Sequence, residues 1–568
     1  MPLQMSRMFP ETKREDPADA EVPSHAALVR AGYVRRVSPG IYTLLPLGVR
    51  LVRRVEAIVR EEMDRIGAEE LRFPSLLPRE PYEATGRWAE YGDNLFRLQD
   101  RRDNDMLLGP THEEMFALLA KDEMTSYRAF PKSLYQIGAK FRDEARPRSG
   151  ILRGREFVMK DSYSFDIDDA GLDESYRLHR EAYHKIFDRM GVSFRIVKAT
   201  SGAMGGSKSE EFLAPSAIGE DTFVTCPNCD FVSNVEAMDF AAPVDPIDAS
   251  QYPAASVQQT PNTTTIETLV AHANANGLDV SAKDTIKSLL FWADKSPIMA
   301  VIPGDRELNE EKLQGYIGAQ AVRPFSEEDF KEHPELAKGY ISPAAGAALG
   351  IRVVGDPRLK AHQSWITGAD KIDHHNFGVV LGRDFDIAEW VPLTDGAIGD
   401  ACPVCGAVVQ GERGIEIGHI FQLGRKYTDA IEWDVQGPNS EMIRPTMGSY
   451  GVGITRMMAV IAEQTLDELG LCWPASVAPA DIHVISINKD PEAAWEVVRL
   501  LENAGKFVIL DERDRVSFGV KAKDAELLGM PKIVVVGRDA VNGQVELRDR
   551  KSGSNDVVNI TDLVTAIS

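Results

Sequence analysis

Residues 141–161, FRDEARPRSGILRGREFVMKD, hold Arg142, Arg146, Arg148, Arg153, Arg155 and Lys160 against four acids, in a 568-residue chain of formal net charge −23. Arginine is always charged and meets paired oxygens with a planar fork, so such a cluster suits phosphates and carboxylates. A single arginine is more often a solvated surface charge; it is their concentration around one Pro and two Gly residues that argues for ligands. A second segment, GSYGVGITRMMAVIAEQ, sets Gly448, Gly451 and Gly453 ahead of a helix with Arg456 in its first turn. Glycines admit a ligand to the backbone and a helix start favours phosphate, although taken alone this pattern is equally a structural turn. Cys226/Cys229 and Cys402/Cys405 each have zinc-ligand spacing, the alternative being four reduced thiols; Cys472 is a lone packing thiol. Lys287 sits within the apolar run TIKSLLFWAD, where it needs a partner or a task; a snorkelling structural lysine is the plain alternative.

The elements that position these groups are legible in the pattern. SLYQIGAKFRDE and REFVMKDSYSF read as the arms of an antiparallel hairpin with a long basic tip. Residues 48–66 read as an amphipathic helix, with Leu51, Val55, Ile58, Val59 and Met63 at helical spacing and Gly67 as the stop. EELRFPSLLP reads as a strand meeting Pro74, at an edge or interface. Residues 105–119 run strand, turn, helix, and DESYRLHREAYHKIFDRMG is a helix closed by Gly191. Near residue 240 the chain turns rich in Pro, Ala, Ser and Thr, as a linker or extended strap does. A separate α/β unit follows from about 264 to 395, bracketed by the cysteine pairs as an insertion into a host domain would be. From about 480, strands and helices alternate in a small domain with a mostly parallel sheet.

The length implies about three or four domains. Hydrophobic residues are 43% and charged residues 27% of the chain, ordinary for a soluble globular protein. The N-terminal residues show no signal-peptide pattern, and no run approaches a membrane span. Five cysteines are too few for a disulfide scaffold, which favours the cytoplasm. The acidic total does not exclude nucleic acid; it confines binding to local basic surfaces.

FRDE, RGREF and GSYGVGITR resemble motifs two and three of the class II aminoacyl-tRNA synthetases, and the helix ending before Pro74 resembles motif one. With GPTHEE (109–114), REFVMKDSYSF, GHIFQLGRKY and ERDRVSFGVKAKDAELLGMP, nearly the whole chain resembles the bacterial-type prolyl-tRNA synthetases. The resemblance implies an α/β and α+β multidomain fold: an antiparallel-sheet catalytic domain at 1–222 and 407–475, an editing insertion at 223–406, and an anticodon-binding domain at 476–568. It implies ATP with Mg2+, L-proline and tRNA(Pro) as partners, and a homodimer. Arg142 matches the arginine bridging the substrate carboxylate and the α-phosphate, and Glu144 the carboxylate reading the adenine amino group. Phe157 and Arg456 match the purine sandwich; Arg153 and Arg155 fall to the outer phosphates, and Gly451, Gly453 and Gln422 to the nucleotide. Thr111 and Glu113 match the loop holding the proline amino group. Met159, Asp161, Tyr163, His419 and Ser449 fall to the proline pocket, and Glu416 to Mg2+. Arg146 matches a contact to the tRNA acceptor end; Arg513, Lys521 and Lys523 are anticodon-domain candidates, a solvated face being the alternative.

The insertion resembles the domain that hydrolyses mischarged alanyl-tRNA. On that match Lys287 contacts the tRNA end, the loop Gly339 to Pro343 sizes the amino acid, and His375 sits at the ester, with His374 as its neighbour and competitor. The cysteine pairs imply a structural Zn2+ if the ends of the insertion meet. Two departures stand out: relatives often carry His where Glu210 stands and Cys where Ser449 stands. A threonyl-type ligase is disfavoured because the Cys pairs lie outside the motifs, and a catalytically dead tRNA-binding protein because Arg142, Glu144, Phe157 and Arg456 are intact.

Overall fold

The computed structural model describes residues 1–199, 206, 208–238, 240, 248–319, 321–360, 364–487 and 492–567. The chain divides into two compact units, one of residues 1–197, 203–221 and 413–568, the other of residues 198–202 and 222–412. The first is built on the expected hairpin: Lys132–Phe141 pairs antiparallel with Glu156–Asp166, from Lys132 opposite Phe165 to Phe141 opposite Glu156. Thr446–Gly453 lies antiparallel beside the second arm, Gln410–Gly424 beside that, and Lys208–Pro215 beyond it.

Helices cover one face of this sheet. Pro46–Arg65 buries Leu51, Val52, Val55, Ile58, Val59 and Met63 on one stripe, the side chains recurring at helical spacing. Asp169–Arg189 begins where Asp168 Oδ1 accepts the Gly171 N–H at 2.8 Å, an N-cap that satisfies an otherwise unpaired donor. With Ile454–Thr465 they form one continuous core against the sheet. Gly67 and Gly191 end the first two helices at φ +76° and +71°, the left-handed conformation that glycine adopts without a Cβ penalty.

EELRFPSLLP does not form a single strand. Glu69–Glu70 edges the large sheet parallel to Lys132–Phe141, whereas Leu76–Pro78 joins a separate sheet with Arg97–Gln99 and Asp105–Leu108. Pro74 has no N–H to continue a ladder, so the chain changes sheets there.

The C-terminal sheet has Val508–Asp511, Ile482–Ser486 and Lys532–Val536 in parallel, followed by the antiparallel pair Gln544–Asp549 and Asn555–Asn559. Its other edge is Leu3–Gln4, from the beginning of the chain. Two residues show no periodicity, so this strand is invisible in the sequence. Trp473 Nε1 donates to Tyr33 Oη at 2.7 Å and to Leu528 O at 3.1 Å, and Arg54 pairs with Asp481 at 3.1 Å. These bonds join the C-terminal sheet's helices and strands to the core under the large sheet.

In the second unit Ile286–Ala293 and Ser296–Pro303 pair antiparallel, with Arg352–Gly355 parallel to the latter. A smaller sheet joins Ser256–Gln259, His374–Val379 and Trp365–Gly368. Of the Pro- and Thr-rich stretch expected as a strap, 241–247 lie outside the described residues, and Ser256–Gln259 is a paired strand. Among the described residues no helix is long and apolar enough to cross a membrane.

Gly48, inside Pro46–Arg65, packs directly on backbone: a Cβ there would stand 2.3 Å from Tyr33 O. Gly48→Ala should therefore destabilise the first unit by about 1–3 kcal/mol despite the better helix propensity of alanine. Urea denaturation against the parent would check it; a neutral or stabilised variant would refute the close approach.

Candidate active site

Side chains alternate along Glu156–Asp166. Phe157, Met159, Asp161 and Tyr163 face a cleft of about 340 Å3. The intervening Lys160 and Ser162 face the covering helix, where Lys160 Nζ donates to Tyr183 Oη at 2.5 Å and Ser162 Oγ lies 2.8 Å from His179 Nε2. The register carries the cleft face across the sheet: Asp161 opposes Gly451, which opposes His419, and Tyr163 opposes Ser449, which opposes Phe421. A Cβ on Gly451 would project into open cleft, its nearest neighbour Met159 Sδ at 3.7 Å. Gly448 belongs to the other face, where a Cβ would collide with Tyr450 Oη at 2.1 Å.

Arg142 emerges where the first hairpin arm ends. Its guanidinium carbon lies 5.3 Å from the Phe157 ring centroid, and its Nε is buried with no hydrogen-bond partner among the described residues. Arg456 enters from the first turn of Ile454–Thr465, its Nε donating to Leu152 O at 3.0 Å and its Nη1 to Glu416 O at 2.6 Å. Glu416 Oε1 is 3.1 Å from His419 Nδ1, and Oε2 is 3.4 Å from Arg456. Burial pushes the Glu416 carboxyl up, but the His419 hydrogen bond, with Arg456 and Arg142 nearby, outweighs it and holds the group below the usual carboxylate range. Glu144 accepts from Arg153 Nε at 3.0 Å, and Glu220 links Arg153 and Arg148 at 2.5 Å each. An adjoining space of about 190 Å3 is lined by Arg142, Arg153 and Arg456 with Glu220, Asp221 and Glu416.

At the other end of the cleft stand Thr111, Glu113 and Ser449. Ser449 Oγ donates to Glu113 Oε1 at 3.2 Å. Behind them lies Arg87, only 1% exposed, which donates to Glu113, Glu114, Thr111 and Tyr91. Sequence reasoning missed Arg87: no period marks it, and the sole signal is its setting among Tyr82, Trp88 and Tyr91. Also missed were Lys140 and His112. Lys140, fully buried, pairs with Asp161 Oδ1 at 2.8 Å and lies 2.7 Å from His112 Nδ1, while His112 Nε2 is 3.2 Å from Pro74 O. Burial, reinforced by Lys140, lowers the His112 pKa, so the imidazole is neutral, accepting from the lysine at Nδ1 and donating to the Pro74 carbonyl at Nε2.

Several expectations are corrected. Gln422 points to the helix side, its Nε2 donating to Asp173 Oδ1 at 2.7 Å, because the alternation that brings His419 and Phe421 into the cleft excludes it. Arg155 does not line the cleft; its Nε donates to Glu144 O at 3.1 Å. Lys521 is no surface group: it is buried and donates to Ser486 O at 2.7 Å. Arg513 is bound to Asp511 and Asp524 at 2.6 and 2.7 Å. Lys523 and Arg146 are exposed, with no ion pair among the described residues. Glu210 turns to the helix side, accepting from Tyr176 Oη at 3.0 Å and Arg180 Nε at 2.9 Å, so that departure lies outside the cleft; Ser449 lies within it.

The second unit carries a cavity of about 1360 Å3, lined among others by Lys287, Gly339, Ile341 and His375. Lys287 Nζ donates to Arg306 O and Glu307 Oε1, both at 2.7 Å. His375 Nδ1 lies 2.7 Å from Thr260 Oγ1, whereas His374 turns its Nδ1 to Ile372 O at 2.8 Å and lies outside the cavity. Pro343 is also outside, buried at the start of the short helix Pro343–Ala348. Cys226 and Cys405 sulfurs are 3.4 Å apart and those of Cys229 and Cys402 3.7 Å, all four lying within 4.8 Å of one another. A tetrahedral Zn2+ with bonds of about 2.3 Å needs sulfur separations of roughly 3.8 Å, so the set fits.

Residues 96–465 match the model of the tRNA synthetase class II core domain (G, H, P, S and T), and residues 481–568 that of an anticodon binding domain. The cleft is thus set in a class II synthetase core. Among curated relatives, a proline–tRNA ligase of Nocardioides sp. is 52% identical over 100% of this chain and 99% of its own. Another from Rhodococcus opacus is 54% identical over 98% of this chain and 97% of its own. The solved prolyl-tRNA synthetase of Cryptosporidium parvum, complexed with L-proline and AMP, shares the fold at a TM-score of 0.56 and 12% identity, covering 96% of this chain and 76% of that one. The chain belongs to the proline–tRNA ligase family of class II aminoacyl-tRNA synthetases.

Proposed function

We propose that the cleft joins L-proline to ATP and passes the prolyl group to tRNA(Pro), and that the cavity of the second unit hydrolyses alanyl-tRNA(Pro). The observation that carries the first part is one cleft holding Arg142, Phe157 and Arg456 at one end and Thr111, Glu113 and Ser449 at the other. The substrate carboxylate is ionised at neutral pH, so no general base is needed. Its oxygen attacks the α-phosphorus, a P–O bond forms, and the bond to the departing pyrophosphate breaks. The terminal ribose hydroxyl of tRNA then attacks the prolyl carbonyl and AMP leaves.

Catalysis is therefore positioning and charge stabilisation. Arg142, with its unpartnered Nε and its stack on Phe157, is suited to bridge carboxylate and α-phosphate. Arg456 and Phe157 hold the purine, Glu144 reads its amino group, and Arg153 takes the outer phosphates once released from Glu144 and Glu220. Thr111 and Glu113 receive the ammonium; Met159, Asp161, Tyr163, His419 and Ser449 complete the pocket. Glu416, ionised and beside Asp221, is the carboxylate suited to Mg2+, which when bound offsets phosphate charge. Arg146 and Lys523 remain the exposed candidates for tRNA. The family resemblance supports a homodimer working in the cytoplasm.

Lys287, Gly339 and His375 support an editing site, and Zn2+ on the four cysteines would clasp the entry and exit of the second unit. Arg142→Ala should lower proline-dependent ATP–pyrophosphate exchange by about 10²–10³-fold, whereas Lys287→Ala should leave exchange intact and slow alanyl-tRNA hydrolysis. Equal loss of exchange in both would contradict two separate sites. Burial, with His272 nearby, pushes the His375 pKa down to about 4. The imidazole then gains its proton only as pH falls towards that value, so single-turnover deacylation should be flat from about pH 6 to 8 and decline near pH 4; a midpoint near pH 6.5 would refute this. Purified protein should carry about one zinc per chain, read by metal analysis, and chelation should destabilise the second unit while exchange persists.

A further inference from the structure

We propose that Arg87 is the positioning residue of the proline subsite: it fixes Thr111 and Glu113, while Glu114 balances its charge so that Glu113 is left to take the substrate ammonium. This rests on the reading of Thr111 and Glu113 as the ammonium acceptors.

Arg87 opens the short helix Arg87–Glu90, after Gly86 at φ +80°. Its guanidinium is enclosed by the rings of Tyr91, Tyr82 and Tyr427, at 5.0, 5.7 and 5.9 Å from their centroids. One nitrogen, Nη1, donates to Glu113 Oε2 at 2.8 Å and reaches both oxygens of Glu114 at 3.0 and 2.9 Å. The other, Nη2, donates to Thr111 Oγ1 at 2.6 Å and Tyr91 Oη at 3.1 Å. A threonine hydroxyl has one proton and two lone pairs. Arg87 occupies one lone pair and the Glu113 carboxylate takes the proton, which leaves the other lone pair to be aimed by these two contacts.

The charges give the reason for two acids. One guanidinium between two carboxylates leaves a net negative charge, which an arriving ammonium cancels. Glu114, fully buried and bonded by Thr85 Oγ1 at 2.8 Å, does not line the cleft; Glu113 does. Without Glu114, Arg87 and Glu113 would cancel each other and the subsite would lose its attraction for a cation. The other facing charges do not replace it. Lys140 and Asp161 neutralise one another at 2.8 Å, and His112 is held between Lys140 and Pro74 O. Burial raises the Glu113 pKa, but Arg87 and the Thr111 hydrogen bond outweigh it, and its place in the first turn of Glu113–Glu123 also favours the anion. For Glu114 burial and the Glu113 charge prevail over Arg87 and raise the pKa, while both its oxygens stay on Arg87 Nη1 at 3.0 and 2.9 Å.

Arg87→Ala would leave two buried carboxylates side by side and endanger folding, so the test uses Arg87→Lys and Glu114→Gln in the full chain. Proline-dependent ATP–pyrophosphate exchange should show KM for proline raised about tenfold or more in each, with kcat within about threefold and KM for ATP unchanged, as loss of ground-state binding requires. Tetrahydrofuran-2-carboxylate keeps the ring and carboxylate but has no ammonium, and its inhibition constant should be the same in parent and variants. An unchanged KM for proline, or parallel loss of kcat and of affinity for both ATP and the ammonium-free inhibitor, would overturn the proposal. If one variant does not fold, the other decides. A parent enzyme whose exchange ignores proline would instead sink the reading of the cleft on which the proposal rests.

Discussion

The catalytic core depends on one strand, Glu156–Asp166, serving two environments at once. Its odd-numbered side chains from Phe157 to Tyr163 form the cleft floor, while Lys160, Ser162 and Ser164 are buried against the helix side. A polar face can be buried only if it is satisfied. Here Lys160 reaches Tyr183 Oη and Tyr450 O, Ser162 meets His179, and Ser164 meets Tyr450 Oη at 2.9 Å. The Tyr450 ring stacks on His179 at 3.7 Å with an interplanar angle of 5°. Burial lowers the Lys160 pKa well below its ordinary value and pushes His179 down to about 3, with Lys160 adding to the effect. The underside is thus a closed hydrogen-bonded layer with little charge, and it stiffens the floor on which the ligand groups stand.

Above the floor the logic reverses, and charges are kept rather than suppressed. Among the described residues the cleft-lining cations Arg456 and Arg153 rest on acids, on Glu416 and on Glu144 and Glu220, and Arg87 behind the cleft rests on Glu113 and Glu114. Such pairs hold long side chains near where a ligand needs them, lowering the ordering cost on binding. They also explain why a chain of net charge −23 can concentrate arginines at one hairpin. The acids that give the excess include those that hold the arginines in place.

How much of this was legible follows from what leaves a trace in a sequence. The hairpin, the helix Pro46–Arg65 and the glycine-rich entry to Ile454–Thr465 have periods and punctuation that survive folding unchanged. The facing of Phe157, Met159, Asp161 and Tyr163 follows from the two-residue repeat, and the same rule applied to His419 would have excluded Gln422. Arg87, Lys140 and His112 were illegible because their roles are three-dimensional: each supports a ligand-facing group from a different element. Lys521 misled for the converse reason, since a lysine in a helix reads as solvent-exposed unless the carbonyls that receive it, Ser486 O and Asp511 O, are known. Leu3–Gln4 is too short to carry any pattern.

The architecture of the proline subsite bears on why a second, hydrolytic site would be needed. On the proposed reading, Thr111 and Glu113 receive an ammonium and Arg142 a carboxylate, groups that every amino acid shares. Discrimination would then fall on the ring, for which Met159, Tyr163 and Phe421 in the cleft lining offer walls. Apolar walls can reject a larger side chain by collision, but a smaller one loses only about 1–3 kcal/mol per missing methylene. Under that assignment alanine would be admitted at a rate that no refinement of the ammonium or carboxylate contacts could reduce, because those contacts are identical for both. A site that sees the amino acid only after it is esterified can apply the opposite sieve, accepting what is small. The cavity beside His375 is edged by Gly339 and Ile341, and Gly368 lies so close under Tyr340 that a Cβ would stand 2.1 Å from its carbonyl. That close backbone packing fixes the turn at 339–341 on the edge of the cavity, the loop that on the proposed reading would size the acyl group.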